Sequence, residues 1–362
     1  MSLILSSIRK QQAGETHLYN LDAEFLPGLN VLAGPTKAGK TSLLRIIAGL
    51  DKADGTITLN GKDLTHVPVR KRGVAIVYQQ YINYPNFTVY DNIASPLRLA
   101  KFSNEEIDKK VREAAELLDI TDYLTRLPSE LSGGQQQRTA IARALIKDAD
   151  VILFDEPLVN LDYKLREQLR REMRAIFAEF NKIAIYATTE PLEAALLGDH
   201  LVVLDKGEVL QAGPAQDLFQ SPSNLRVAEI LSDPRINTLP VVLKNGTASY
   251  SDLINVNVKS QNKSNGDFVL AIRPHHVHLQ SEQSLNNNAV VFQATVTLAE
   301  VSGSETLIHV QLGQEHWIVQ QRGVHQYQLG DSIDLVFNAE NVLLFNSDGN
   351  RTEPANEQRR VS

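Results

Sequence analysis

The chain has 362 residues, is 43% hydrophobic, carries a formal net charge of −7 and contains no cysteine. The length suggests about two domains with sizeable cores, and the missing cysteines exclude disulfides, thiolate metal sites and cysteine nucleophiles. An acidic balance without a dense basic block speaks against a nucleic-acid partner. The opening MSLILSSIRK lacks the basic-then-apolar order of a secretory signal. No apolar run approaches the ~20 residues of a spanning helix, so work at a membrane would require docking on partner proteins.

Residues 1–235 alternate short apolar strands with helical patterns. LNVLAG (29–34), VAIVY (74–78), VILFD (151–155), IAIYA (183–187) and LVVLD (201–205) are almost wholly apolar. Such runs predict strands of a largely parallel sheet, buried on both faces.

Between the first strand and the helical pattern TSLLRIIAGL lies GPTKAGKT (34–41), which fits G-x-x-x-x-G-K-[ST] in the strand–loop–helix context the pattern requires. Gly34, Pro35, Thr36, Lys37, Ala38, Gly39, Lys40, Thr41 and Ser42 are therefore the candidate phosphate-binding residues. Backbone N–H groups would curl around the β-phosphate at the positive end of the following helix. Lys40 would reach the β- and γ-phosphates, and the Thr41 hydroxyl would bind Mg²⁺. Lys37 stands where this loop often has glycine; it reads either as an extra phosphate-binding cation or as a solvated side chain.

Further along, Ser103 and Glu106 have capping-box spacing. Ile107, Val111, Ala114, Ala115 and Leu118 repeat at helical spacing, predicting an amphipathic helix over 103–118. ELSGGQQQR (130–138) opens another helical pattern, with a polar, glycine-rich start that could hold phosphate or be a plain turn. VILFDEP (151–157) ends in two carboxylates. At the end of a buried parallel strand Asp155 can reach a Mg²⁺ ion beside the phosphate loop, and Glu156 can orient or deprotonate an attacking water. The alternative is a capping acidic pair. Residues 163–181, with alternating charges, predict another amphipathic helix.

The character changes near DPRINTLP (233–240). DFVLAI, VVFQATVTLAEV, TLIHVQL, HWIVQQ and SIDLVF, separated by Gly, Asn and Ser turns, predict an all-β domain over 236–346, a small OB-like barrel. Its histidines His275, His276 and His278 read as surface or turn residues, with a metal site the alternative. The polar tail 347–362 reads as disordered.

The run LSGGQQQR resembles the signature of ABC-transporter ATPase subunits, and the resemblance covers the whole chain. It implies an ABC-type α/β P-loop domain over 1–235, with a helical subdomain near 85–145, that binds ATP and Mg²⁺. VYQQYINYP (77–85) looks like the Q-loop, with Gln79 sensing Mg²⁺ and contacting transmembrane subunits. VNLD (159–162) looks like the D-loop, with Asp162. Ser132, Gly133, Gly134 and Gln135 would close over nucleotide bound to a partner ATPase subunit. LAIRPHHVHL and GSET resemble the accessory β-domain of sugar- and polyol-importer ATPases. GPTKAGKTSL and VYQQYINYPNFTVYDNIASPLR resemble an ATPase subunit of bacterial glycerol importers. The implied partners are a second ATPase subunit, two transmembrane permease subunits and, indirectly, a solute-binding protein, at the cytoplasmic face of the inner membrane. Glycerol 3-phosphate and maltose-type sugars are alternative solutes. A soluble ABC protein of DNA repair or translation is opposed by the single ATPase domain, the acidic balance and the β-domain.

Three positions depart from the family. Where the family's IYVTH ends in a switch histidine that contacts the γ-phosphate, this chain has Thr189. A hydroxyl cannot carry the positive charge of an imidazolium, and losing such a contact commonly costs on the order of 10²–10³ in rate. The D-loop begins with Val159 rather than serine. The aromatic residue expected to stack on adenine is absent from Gln12 to Gly14, and His17 or Tyr19 could replace it only through a re-routed loop. The departures read either as drift in a working ATPase or as division of labour in a heterodimer. In the second case this chain's own site is weak or a non-hydrolysing clamp, and its signature completes the partner's site.

Overall fold

Strand runs that are apolar on every residue can be buried only between two layers, and here they form five adjacent strands of a six-stranded sheet. The computed structural model describes residues 1–12, 15–80, 82–159, 161, 163–178, 182–258, 265–282 and 288–352, and divides into two units, Met1–Gln220 and Ser221–Ser362.

The first unit runs β1 (Leu3–Gln12), β2 (Glu15–Phe25), β3 (Gly28–Ala33), α1 (Lys40–Ala48), β4 (Asp54–Leu59), β5 (Lys62–Asp63), β6 (Val74–Val77), α2 (Val89–Leu99), α3 (Asn104–Leu117) and α4 (Gly133–Ile146). It continues with β7 (Val151–Asp155), α5 (Tyr163–Ala178), β8 (Ile183–Thr188), α6 (Pro191–Leu197), β9 (His200–Asp205), β10 (Glu208–Pro214) and α7 (Ala215–Gln220). The central sheet has the order β10-β9-β3-β8-β7-β6, parallel except for the antiparallel edge strand β10. Every residue of β7 and β8 is buried.

A second, antiparallel sheet (β2-β1-β4-β5) adds its inner face to the same core through Leu3, Leu5, Ile8, Leu21, Phe25 and Ile57. Chain alternation alone did not announce β1. Ser7 has φ 53, and the pairing slips between Leu5 and Ile8, so the apolar residues change phase within the strand.

The helix expected from Ser103 forms with Ser103 as N-cap and a complete capping box to Glu106. Its stripe Ile107, Val111, Ala114, Ala115 and Leu118 is buried. α2, α3 and α4 pack against one another. The helix expected over 163–181 ends at Ala178, with 179–181 outside the described residues.

The second unit holds α8 (Leu225–Ile230), β11 (Asn237–Lys244), β12 (Thr247–Tyr250), β13 (Ile254–Asn257), β14 (Gly266–Ile272), β15 (Val277–Leu279), β16 (Ala289–Val301), β17 (Glu305–Leu312), β18 (Glu315–Arg322), β19 (Ser332–Asn338) and β20 (Leu343–Asn346). Two five-stranded antiparallel sheets, β13-β12-β11-β14-β20 and β15-β19-β16-β17-β18, enclose one core around fully buried Trp317. This is the OB-like β-domain expected from the strand pattern.

Trp317 donates its indole N–H to the Thr238 carbonyl at 2.9 Å. The Asn237 amide donates to the Ile318 carbonyl at 2.8 Å and accepts from the Ile318 N–H at 2.7 Å, joining the two sheets as a backbone strand would. β11 accommodates Pro240 because β12 pairs only with Val242–Lys244, leaving the proline's nitrogen side unpaired. The tail departs from expectation at its start. Arg351 and Thr352 donate to the Ser223 and Leu344 carbonyls, and Leu225 donates to Gly349. Residues 347–352 are therefore hydrogen-bonded into the unit, while 353–362 lie outside the described residues.

Asp51 ties the end of α1 to β1. It accepts from the Arg45 guanidinium at 2.8 and 3.0 Å and from Lys10 Nζ at 2.6 Å. The Arg45 fork, with Lys10 assisting, outweighs desolvation and lowers the Asp51 carboxyl to about 2. A lowered carboxyl contributes stability above its unfolded value and loses it as pH falls through its folded value. Asp51→Asn should therefore lower stability at neutral pH by about 1–3 kcal/mol. The gap between the two melting temperatures should close as pH falls from 3.8 toward about 2, as read by thermal denaturation across that range.

Candidate nucleotide-binding site

Three neighbouring parallel strands end side by side at one edge of the central sheet. β3 runs into the glycine-rich loop, β8 into Thr189, and β7 into Asp155 and Glu156, with registers Ala33↔Thr188 and Asp155↔Ala187. β6, next to β7, leads to Gln79. Chain segments far apart in sequence thus meet at the carboxyl ends of parallel strands, where open α/β sheets place their ligands.

The loop is pinned from both sides. Gly34 donates to the Thr188 carbonyl at 3.3 Å, and the Ala38 carbonyl accepts from Gly207 at 2.8 Å. A Cβ on Gly34 would lie 2.1 Å from the Leu204 carbonyl oxygen, so that position excludes every side chain. Gly39 closes the loop in the left-handed region at φ 109 and serves as N-cap of α1. Among the described residues, the N–H groups of Thr36, Lys37 and Gly39 have no hydrogen-bond partner. Together with the first turn of α1 they form a ring of donors, the arrangement that receives phosphate oxygens.

Lys40 is buried inside this ring. Its ammonium donates to the Gly34 and Pro35 carbonyls at 2.7 and 3.0 Å and lies 3.3 Å from Glu156 Oε1. Burial lowers its pKa, opposed by Glu156 and then Asp155. Thr41 donates its hydroxyl to Asp155 Oδ1 at 3.0 Å. Asp155 is itself buried, which raises its carboxyl against the pull of Thr41 and Lys40. The hydroxyl–carboxylate pair is an oxygen-only donor set suited to a hard cation such as Mg²⁺, so these residues fit both a polyphosphate and its metal. Glu156 has φ 46, and its N–H is held by the Ala187 carbonyl at 3.1 Å. The carboxylate beside Lys40 is thereby aimed by a strained backbone.

Thr189 is half-buried, one residue beyond the Thr188 carbonyl that holds Gly34. The strand beneath it rests on a buried carboxylate: Glu193 accepts from the Thr188 hydroxyl at 2.6 Å and the Tyr186 hydroxyl at 3.1 Å. Burial raises the Glu193 carboxyl. Arg166 of α5 adds a brace. It pairs with Glu190 at 2.5 Å and donates to the Val159 and Leu161 carbonyls at 3.3 and 3.2 Å. It therefore joins the segment after the acidic pair to the residue after Thr189. Asp162 lies outside the described residues, as do Ala13 and Gly14 of the stretch expected to hold an adenine-stacking residue. The β2 backbone runs beside the loop: a Cβ on Gly39 would stand 3.3 Å from the His17 carbonyl oxygen. Tyr19 is half-exposed.

Ser132, Gly133, Gly134 and Gln135 open α4, and their hydrogen bonds are local. Ser132 N–H donates to Gln135 Oε1 at 2.9 Å, and Gln135 N–H donates to Ser132 Oγ at 3.4 Å. No hydrogen bond among the described residues joins them to the phosphate loop. Gly134 packs against Leu165 of α5, where a Cβ would meet its Cδ2 at 2.1 Å. The segment after Gln79 is tied to the same helix. Asn83 donates to the Gln136 carbonyl at 2.8 Å, and Arg143 bonds the Ile82 carbonyl with its guanidinium 5.1 Å from the Tyr84 ring centroid. In the second unit His275 and His276 stack edge-on at 4.3 Å, and burial lowers His276 to about 4. Among the described residues no three metal-capable side chains converge.

Sequence reasoning missed Leu204, Gly207, Arg166, Glu193 and Asn83. Asn83 lies within VYQQYINYP, where nothing marks it as a brace, and the other four belong to no motif.

Residues 21–159 match the ABC transporter family model, and residues 270–345 match the TOBE domain model. The chain is 35% identical over 359 residues to the alpha-glucoside transport ATP-binding protein AglK of Rhizobium meliloti, covering 96% of this chain and 98% of that protein. It is 33% identical over 374 residues to the multiple sugar-binding transport ATP-binding protein MsmK of Streptococcus mutans, again covering 96% and 98%. Among solved structures it resembles the dimeric post-hydrolysis ATP-binding cassette MJ0796 bound to ADP and Pi. That likeness has a TM-score of 0.53 and 27% identity over 59% of this chain and 98% of the other.

Two substitutions probe the supports. Gly34→Ala must push the Leu204 carbonyl away and should destabilise the fold by about 1–3 kcal/mol, visible in chemical denaturation. Arg166→Ala leaves the Glu190 carboxylate and the Val159 and Leu161 carbonyls without their donor. It should speed amide hydrogen exchange through 156–161 while changing the melting temperature of the second unit little.

Proposed function

The chain belongs to the ABC-transporter ATP-binding family, and on that premise we propose that it is the ATP-binding subunit of an importer for a sugar or small polyol, glycerol first among them. Membership carries ATP hydrolysis coupled to transport and work with permease subunits. Among the described residues no helix is long and apolar enough to cross a membrane, which fits docking on such subunits at the cytoplasmic face of the inner membrane. The sugar assignment is supported by relatives named for alpha-glucosides and multiple sugars. Glycerol is supported by the wording of GPTKAGKTSL and VYQQYINYPNFTVYDNIASPLR. Maltose-type sugars and glycerol 3-phosphate are the alternatives.

The observation that carries the reading is the Thr41–Asp155 contact beside the buried Lys40, within a loop whose Thr36, Lys37 and Gly39 N–H groups have no partner among the described residues. Gly34 to Ser42 would hold the phosphates. Thr41 and Asp155, with Gln79, would hold Mg²⁺, which would supply neutralisation of phosphate charge. Glu156 would accept a proton from, or orient, the attacking water. Its pairing with Lys40 keeps the carboxylate at the loop. Ser132 to Gln135 and Asp162 would face nucleotide held by a second ATPase subunit.

A threonine at position 189 supplies one hydrogen bond and no positive charge. Together with Val159 and the missing aromatic residue, it supports a heterodimer in which this chain's own site is the weak one. A purely structural ATP clamp is the second reading, and Thr189 is what favours it.

The purified chain, without a second ATPase polypeptide, should hydrolyse ATP far below the rate of the assembled complex; full-rate turnover by the chain alone would overturn the division of labour. In the complex, Lys40→Ala here should leave substantial turnover, whereas the matching change in the partner should abolish it. Single-turnover hydrolysis with each site disabled in turn separates a slow site from a silent one. Uptake of labelled glycerol against a maltose-type sugar by the reconstituted importer decides the solute.

A further inference from the structure

Lys37 occupies the one place in the phosphate loop where a side chain works against the backbone. Its φ is 69, in the left-handed region that favours glycine. Lys101 and Lys206 take the same conformation elsewhere in the chain, so the conformation counts here because of its surroundings. Lys37 stands between Thr36 and Gly39, whose N–H groups, like its own, have no partner among the described residues. Backbone strain retained at such a place points to a use for the side chain.

The charges around the loop show which use. Lys40 is committed to Glu156 and to two carbonyls, and Arg45 is committed to Asp51. Lys37 is exposed and, among the described residues, has no ion-pair or hydrogen-bond partner. Asp155 and Glu156 bring two negative charges to the site against the one positive charge of Lys40, before any phosphate arrives. Across the loop Thr189 brings none. An ammonium on a flexible four-carbon stem is the compact charge that can move onto an oxyanion.

We propose that Lys37 is a second phosphate-binding cation, which contacts the terminal phosphate of ATP held at this chain's own loop and supplies positive charge that Thr189 lacks. The proposal rests on the reading of Gly34–Thr41 as the ATP site. It makes the site selective for ATP over ADP, because the contact exists only while a terminal phosphate is present.

The test is displacement of a fluorescent nucleotide by MgATP and by MgADP on the full chain, with a thermal melt of every variant. Lys37→Gly should weaken MgATP roughly tenfold or more, the effect of removing a charged hydrogen bond, and change MgADP little. Its melting temperature should hold or rise, because glycine relieves the left-handed strain. Lys37→Gln should show the same loss of preference without the backbone change, and Lys37→Arg should keep most of it. A solvated surface lysine predicts an unchanged ATP-to-ADP ratio in Lys37→Gly and Lys37→Gln, and that result would overturn the proposal. Equal losses for both nucleotides would overturn it too. If the wild-type chain binds neither nucleotide and matches Lys40→Ala, the reading of the loop fails first and this inference fails with it.

Discussion

The constraint on which the site rests is the approach of the Gly34 backbone to the Leu204 carbonyl, which leaves no room for a single additional carbon. That approach seats the loop after β3 against the ends of β8 and β9. It lets Gly34 donate to Thr188 and Ala38 accept from Gly207, and among the described residues the N–H groups of Thr36, Lys37 and Gly39 have no hydrogen-bond partner. Orphan donors cost free energy in a folded protein unless something accepts from them. Under the proposed function a polyphosphate would do so, and the buried Lys40 would serve the same oxygens.

The site is built in two tiers. One tier comprises the residues proposed to touch the ligand: the loop, Thr41, Asp155 and Glu156. The other holds the first in place through Arg166, Glu193, Asn83 and Arg143. Arg166 binds carbonyls of the segment after the acidic pair and also the carboxylate following Thr189. A shift in either segment is felt by the other through one guanidinium. Asn83 and Arg143 do the same between the segment after β6 and α4. Both braces use planar, multi-donor groups, which fix direction as well as distance. The braces keep adjacent strand ends and helix starts in register, which is what a site assembled from distant chain segments needs.

Legibility from sequence followed the kind of interaction. The phosphate loop, the acidic strand end and the capped helix at Ser103 are local patterns, where neighbours in sequence are neighbours in space, and all three could be read directly. The buried parallel strands were readable because both faces are covered, so alternation is absent. β1 was hidden by the phase change at Ser7 and β11 by Pro240, whose tolerance depends on how far a neighbouring strand extends. The paired start of the tail was hidden because polar residues that bond backbone to backbone look no different from solvated ones. Arg166, Glu193 and Leu204 act across long sequence separations, and no motif spacing announces them. Thr189 was conspicuous only by comparison with a family pattern. The structure adds that it directly follows the Thr188 carbonyl that anchors the phosphate loop.

The account stands on one physical claim: the amide ring at Gly34–Thr41, with Lys40 inside it and Asp155 beside it, takes up a nucleotide's phosphates together with magnesium. Calorimetric titration of the folded chain measures this directly. One MgATP per chain should bind, and chelation of the metal should weaken it, because Thr41 and Asp155 then lose the ion they share. A well-folded chain that takes up no nucleotide, alone or in its assembled complex, would contradict the account.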